Sequence, residues 1–594
     1  MVFSKISGSA AFAVEVDKPE SRCAAHAPGD YRKTYRNRQH GNAGTNQMGN
    51  LRRSGYTAPQ AHGVFRNSSK WPDRKMMQGA QPNTLQLDLH PRRGIGQPIC
   101  RRLLEFLDRR RWSIFYGMAA AYLLGFNGQW RVEPDGGLYL NLARNLALGR
   151  GYTYGGLRHD TVYPGFPLVL SGLYRISSTH IIFTADVFIL LCSVASLALI
   201  YRLILLAYDR PTAVLVTLGV GLSHEFFQYS FEILTEMPFV LGVMALLTGH
   251  EAVFGPKGPS RARWWDWAIL AAGVVVTTIT RPTMIGLLAA WIVALLYAAV
   301  ARRNWKAGAA LVICALVVCT FLLFDPRRSA GHGLAGGYEL YAINQLSQRH
   351  VFWPTVSANV RALLDGTLAK GAFGMPLGSK WVNALFGVVV AASAIALIAK
   401  RLLWGLWVIL TLVPLILFVS SDPRYLLPIL PIMVLGWWNL VRAIDARIPG
   451  RMGNALVLFL LTLGMAPNIA QVIGMVYHQR LHPFLAEYKD GKYEPFAHIA
   501  PDVARETGPD DVVFCPAKSA RMIAFLADRM CFEENEAHPV AEHFYVIVDP
   551  TDGEYLSWLR KQHIQPEGTI LASAVRRRNQ PGSYLMRVRI GAEK

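Results

Sequence analysis

The chain has 594 residues, 52% of them hydrophobic and only 17% charged. Its apolar residues gather in eleven long uncharged runs, and a run of about 18 or more residues reads as a membrane span, which excludes a large soluble protein with buried helices. The net charge of +21 is uneven: residues 1–112 hold 20 Lys/Arg against 8 Asp/Glu, so the excess lies in an N-terminal tail next to a span, where anionic lipid headgroups, not nucleic acid, are the expected partner.

Residues 1–100 are rich in Gly, Asn, Ser, Gln, Arg and Pro and lack periodicity. They cannot bury enough apolar surface to offset ordering entropy, so 1–110 is predicted to be a disordered, basic, cytoplasmic tail. It has no apolar core of a signal peptide, and Met76 or Met77 is an alternative start. A membrane domain follows over 111–476. Its spans fall near 113–130, 180–201, 211–229, 237–254, 266–280, 282–301, 307–324, 381–399, 402–419, 425–441 and 454–476. The stretch 162–177 is shorter and broken by Pro164, Gly165 and Pro167; it reads as a helix lying along the membrane surface.

The positive-inside rule tests this count. With the N-terminus inside, the inner loops carry Arg202 and Arg210; Lys257, Arg261 and Arg263; Arg302, Arg303 and Lys306; Lys400 and Arg401; Arg442, Arg447 and Arg451. A wrong number of spans would throw that alternation out of phase. It leaves 131–179, 230–236, 325–380, 420–424 and the C-terminal segment 477–594 outside, in a chain integral to the cytoplasmic membrane.

Within 477–594, strands are predicted at 511–515, 543–549 and 584–590 and a helix at 519–526, a small extracytoplasmic α/β domain. Cys515 and Cys531 both fall in it; in an oxidising compartment they read either as a disulfide or as two free thiols. Cys192, Cys314 and Cys319 lie in apolar runs as small filler.

The first outer loop holds Glu133-Pro134-Asp135-Gly136-Gly137-Leu138-Tyr139. Carboxylates at a membrane face are costly to desolvate and usually have a task. Leu138, Leu142 and Leu146 share helical spacing, so Asp135 sits at or before a helix start. An N-cap accepting backbone N–H bonds is the structural alternative to a catalytic role.

An Asp followed four residues later by Tyr, then a Pro-Gly-Phe-Pro run at 164–167, resembles the first outer loop of the type-C glycosyltransferase superfamily. The nearest branch resembles the protein O-mannosyltransferase and aminoarabinose transferase group. Thr235-Glu236-Met237-Pro238-Phe239 is similar to the superfamily's acidic turn before the fourth span, Thr280-Arg281-Pro282 to its basic turn, and Asp422-Pro423-Arg424-Tyr425-Leu426-Leu427-Pro428 to its Arg-Tyr-x-x-Pro turn. The resemblance implies that Asp135 is the catalytic base of a polytopic helical enzyme. Many members carry a second acidic residue at the next position, where this chain has Gly136; Glu133 is the nearest substitute, and metal dependence is left open, a divalent ion included.

The chemistry fits such a reaction. An acceptor hydroxyl is a weak nucleophile, and a positioned carboxylate can take its proton as the bond to the anomeric carbon forms; one displacement inverts that carbon. A departing polyprenyl phosphate needs cations, for which arginine is suited. Arg281, Arg327, Arg328 and Arg424 are the outer-loop candidates, against snorkelling interfacial arginines. Glu236, Tyr139 and Tyr425 complete the expected site, with His159 and Lys380 as minor candidates. The absence of a Gly-rich phosphate loop agrees with a lipid-linked donor. The expected activity is a hexosyl- or pentosyltransferase acting on a protein, lipid or glycan acceptor. A transporter or lipid flippase would show repeated halves and midplane charges, which are not evident; a non-catalytic scaffold is the third class.

Overall fold

Among the described residues the apolar runs fold chiefly as helix, as backbone groups in lipid must be satisfied within the segment. The computed structural model describes residues 99–594 apart from 256–261, 302, 325–348, 418–421, 449, 482–492, 517–518, 534–542, 550–551, 563, 575–582 and 591–594. The tail reading over 1–98, the alternative starts Met76 and Met77, and Arg327 and Arg328 lie outside the described residues.

Among the described residues, five helical segments are long and apolar enough to cross a membrane: Ile181–Ala207, Glu236–Phe254, Lys380–Ala399, Pro423–Arg447 and Gly450–Arg480. Trp264–Thr280, Met284–Val300, Trp305–Val317 and Leu402–Leu417 are shorter apolar helices. By length and apolar composition these are the helices of an integral membrane protein.

Two elements differ from expectation. The first helix runs Ile99–Gly125 and so takes in residues 99–110, assigned above to the tail. The reason is amphipathicity: Leu103, Leu104 and Leu107 turn inward while Arg101, Arg102 and Arg109 stay exposed, and the Cys100 N–H donates to Asp445 (3.3 Å). The run at 211–229 is two helices, Arg210–Gly221 and His224–Tyr229, interrupted at Leu222 and restarted by Ser223, whose hydroxyl accepts the Phe226 N–H (3.4 Å).

The loops sort into two sets by direct contact. One set holds Asp108 with Arg210 (3.9 Å), Arg202 with Asp266, and Arg401 with Glu251 (2.9 Å) and the Ala207 carbonyl (3.4 Å). The other holds the loop helix Pro134–Ala147, the turn before Glu236, Arg281, the 3₁₀ turns Pro423–Ile429 and the C-terminal unit. The stretch 162–177 forms a helix at Gly165–Ile176 packed on Pro134–Ala147; a Cβ on Gly165 would lie 2.5 Å from the Ile279 carbonyl oxygen, so only glycine allows that approach.

A two-stranded hairpin in the first loop pairs β1 (Thr153–Tyr154) with β2 (Leu157–Arg158). The C-terminal segment forms a five-stranded sheet in the order β4-β3-β5-β7-β6. Here β3 is Val512–Phe514, β4 Met530–Phe532, β5 Phe544–Val548, β6 Ile564–Ala574 and β7 Ser583–Ile590. β3 runs parallel to β4 and β5, with helix Ala520–Ala527 connecting β3 to β4, and β7 pairs antiparallel with β5 and β6. β3, β5 and β7 are the three predicted strands; β4 is only three residues, and β6 carries register shifts between Pro566 and Ala572. Cys515 and Cys531 are both buried and form no disulfide with each other, so the disulfide alternative gives way to two thiols. β4 pairs Cys531 with Val513, not with Cys515, and the Cys515 N–H donates to the Phe532 carbonyl (2.9 Å).

Candidate active site

Pro134 occupies the first turn of its helix, where its missing N–H costs nothing, and Glu133 takes the N-cap position. Asp135 therefore lies inside the first turn, not at the cap. Its carboxylate meets two arginines from distant parts of the chain: Oδ1 is 3.1 Å from Arg521 Nη1 and Oδ2 is 3.4 Å from Arg424 Nη1. Asp135 is 39% exposed, so the pair of contacts sits at a solvent-reachable rim.

The two glycines after Asp135 are required by packing. A Cβ on Gly136 would lie 2.9 Å from the Ile233 carbonyl oxygen, and one on Gly137 would lie 2.9 Å from the Arg521 carbonyl. Both obstacles are backbone. Position 136 therefore has no room for a side chain without a backbone shift.

Glu236 opens the helix Glu236–Phe254 and is buried, its side chain 4% exposed. Arg281 Nη1 lies 2.9 Å from its Oε1, and Arg424 Nε lies 3.7 Å from the same oxygen. Arg281 ends the helix Trp264–Thr280 in an extended conformation, which turns it toward this carboxylate. Asp422 caps the 3₁₀ turns by accepting the Arg424 N–H (3.0 Å), and its other oxygen lies 3.3 Å from Arg424 Nε. Arg424 is thus held among three carboxylates, while its Nη2 donates to the Tyr425 hydroxyl (3.3 Å). The Tyr425 ring lies beneath Arg281 at 5.2 Å and Arg424 at 5.1 Å, cation–π distances. Tyr139 packs edge-on against Phe166 (5.3 Å). Burial, with the Asp135 and Glu236 carboxylates nearby, pushes its phenol well above the usual range, so it stays a donor.

Of the sequence-predicted residues, Asp135, Glu236, Tyr139, Arg281, Arg424 and Tyr425 come together; Glu133 caps the helix beside them. His159 accepts the Val162 N–H through Nε2 (3.2 Å), and burial lowers its pKa to about 4, so it is neutral and structural. Lys380 is exposed, 5.7 Å over the Trp381 ring.

Sequence reasoning missed two members. Arg521 comes from the C-terminal unit, where the run 519–526 shows only an amphipathic helix and no motif. Glu232, 2% exposed, accepts from Gln228 (2.9 Å) and keeps its second oxygen unpartnered. Burial raises its pKa to about 7, against the opposing pull of Gln228, Arg131 and Arg424. Next to the cluster a small cavity is walled by Phe239, Trp407, Leu410, Leu415 and Pro428, with Arg281 and Tyr425 at its polar end.

No group of three or more His, Cys, Asp and Glu side chains that could hold a metal ion exists among the described residues. Both Asp135 oxygens face guanidinium groups, and Gly136 leaves no second carboxylate. As these side chains stand, the Asp135 carboxylate is engaged by arginines.

No family profile matches the chain and no curated protein matches it. Solved structures do. ArnT from Cupriavidus metallidurans, an aminoarabinose transferase, is similar in its apo state at TM-score 0.52 and 13% identity, over 81% of this chain and 98% of that one. The same protein bound to undecaprenyl phosphate gives 0.51 and 13%, over 80% and 98%. The Archaeoglobus fulgidus oligosaccharyltransferase in complex with Zn and sulfate gives 0.47 and 12%, over 78% and 72%. The chain thus shares the fold of ArnT.

Proposed function

We propose that this chain is a glycosyltransferase that moves a sugar from a polyprenyl-phosphate donor to an acceptor hydroxyl on the outer face of the membrane, with Asp135 as general base. The observation that carries this reading is the convergence of Asp135, Glu236, Arg281 and Arg424 from four loops beside an apolar cavity with Arg281 at its polar end. An ionic head joined to a hydrocarbon chain is the ligand such a juxtaposition suits. That a structure of ArnT holds undecaprenyl phosphate supports the same donor class.

The ion pairs suggest an order of events. The donor phosphate attracts Arg424 and Arg281, and Arg424 leaves Oδ2 of Asp135, its longer contact at 3.4 Å. The freed oxygen accepts the proton of the acceptor hydroxyl. The acceptor oxygen bonds to the anomeric carbon from the face opposite the phosphate, and the carbon–oxygen bond to phosphate breaks. The electron pair leaves with polyprenyl phosphate, whose charge the arginines stabilise. The product has inverted configuration.

The contact sets agree with single crossings by three segments: 210–232, from Arg210 beside Asp108 to Glu232 near Glu236 and Arg424; Glu236–Phe254, from Glu236 beside Arg281 to Glu251 beside Arg401; and Trp264–Thr280, from Asp266 beside Arg202 to Arg281. On this reading 111–476 is the membrane glycosyltransferase domain and 477–594 an outer domain. The test is consumption of a labelled polyprenyl-phosphate sugar by purified protein in lipid. The wild type transfers the sugar and Asp135→Asn does so about 100-fold or more slowly while remaining folded; full activity in Asp135→Asn removes this residue from the mechanism. Transport without transfer would favour the flippase alternative.

A further inference from the structure

We infer that Arg521, supplied by the C-terminal sheet unit, is the positioning residue for the proposed base: it holds Oδ1 of Asp135 so that Oδ2 faces the acceptor when Arg424 turns to the donor phosphate. This rests on the glycosyl-transfer reading above.

The two carboxylate oxygens have different partners. Arg424 reaches Oδ2 at 3.4 Å and is shared with Glu236 and Asp422, whereas Arg521 reaches Oδ1 at the shorter 3.1 Å. On its far side Arg521 Nε lies 3.9 Å from Glu533 Oε1, so the guanidinium is bracketed by two carboxylates. A carboxylate rotates readily about its terminal torsion, which is broad and two-fold. A fixed contact to one oxygen removes that freedom, and a general base is effective only when held within hydrogen-bond reach of the proton it takes.

The C-terminal unit is docked by groups other than this guanidinium. The Arg521 carbonyl accepts from Asn141 Nδ2 at 2.8 Å. Arg144 donates to the carbonyls of Phe525 (2.8 Å) and Ala524 (3.2 Å) and pairs with Asp528 (3.0 Å). Trp130 stands edge-on to Phe525 at 5.7 Å. These contacts persist whatever side chain residue 521 carries. The docking therefore delivers the guanidinium to Asp135, and the guanidinium does not make the docking.

The experiment compares wild type, Arg521→Ala, Arg521→Gln and Arg521→Lys, each full-length in lipid, with labelled polyprenyl-phosphate sugar, and repeats Arg521→Ala in the Asp135→Asn background. Loss of positioning lowers kcat by about 100-fold in the Ala and Gln variants, the scale of an ångström misplacement. The donor KM and the melting midpoint stay near wild type, and Lys or added guanidinium ion restores part of kcat. In the Asp135→Asn background, Arg521→Ala causes no further loss, because it acts through that carboxylate. Unchanged kcat in the Ala and Gln variants overturns the inference, as does an effect confined to donor KM or a full additional loss in the Asn background. Absence of transfer by the wild type overturns the transfer reading itself and this inference with it; transfer by the wild type with an unimpaired Arg521→Gln overturns only the inference.

Discussion

Glu236→Gln removes a buried carboxylate that Arg281 and Arg424 share, and its consequence can be worked from the geometry. At an effective dielectric of about 20, a unit pair at 2.9 Å attracts by roughly 6 kcal/mol and one at 3.7 Å by roughly 4. Desolvation offsets much of this attraction in the intact protein, but the variant keeps the arginines in place without their counter-charge. Breaking one side of a buried pair costs about 3–5 kcal/mol. Arg281 and Arg424 keep 14% and 20% exposure and glutamine retains an acceptor, so the low end, about 3 kcal/mol, is expected. The assay is thermal unfolding of the purified protein in lipid, with the double variant Glu236→Gln/Arg281→Met as companion. Removing one stranded cation returns most of the lost stability while transfer stays impaired. A single variant that melts with the wild type, or a double variant no more stable than the single, refutes the ion-pair reasoning.

Asp135→Asn keeps the fold and loses transfer by about 100-fold or more, the scale of a general base, read as the initial rate at saturating donor. Gly136→Ala forces a Cβ to 2.9 Å from the Ile233 carbonyl; overpacking costs about 1–3 kcal/mol, measured as a lower melting midpoint, and a variant as stable as wild type would show that the turn yields freely. Glu232 has a folded pKa raised by burial from 4.5 to about 7. The folded state therefore holds that proton more tightly than the unfolded one, and stability present below about pH 4.5 is lost as pH rises through 7. Glu232→Gln keeps the Gln228 bond, flattens that decline and stabilises the protein at pH 8 by on the order of 2–3 kcal/mol; melting midpoints from pH 5 to 8 test it, and parallel curves for wild type and variant contradict it.

The parts of the site legible in sequence are those whose chemistry is local. Asp135, Glu236, Arg281 and Arg424 each stand in a polar break between apolar runs, and the Lys/Arg alternation predicts that those breaks share one face. Arg521 was illegible because its role depends on how a sheet unit docks, more than 380 positions along the chain from Asp135. The helix 519–526 shows burial periodicity alone, and the docking bonds go to backbone carbonyls, which carry no side-chain signature. The first helix's start at Ile99 was hidden by its high charge, which hydropathy counts against a span but which lies on one exposed face. The break at Leu222–Ser223 was signalled by a weak capping serine inside an otherwise continuous apolar run.

The most direct measurement is the product formed when purified wild-type protein in lipid meets a labelled polyprenyl-phosphate sugar and a hydroxyl acceptor. The proposed mechanism predicts release of one polyprenyl phosphate per sugar transferred, with the anomeric configuration inverted. A product of retained configuration, or a donor left unconsumed across lipid-linked hexoses and pentoses, contradicts it.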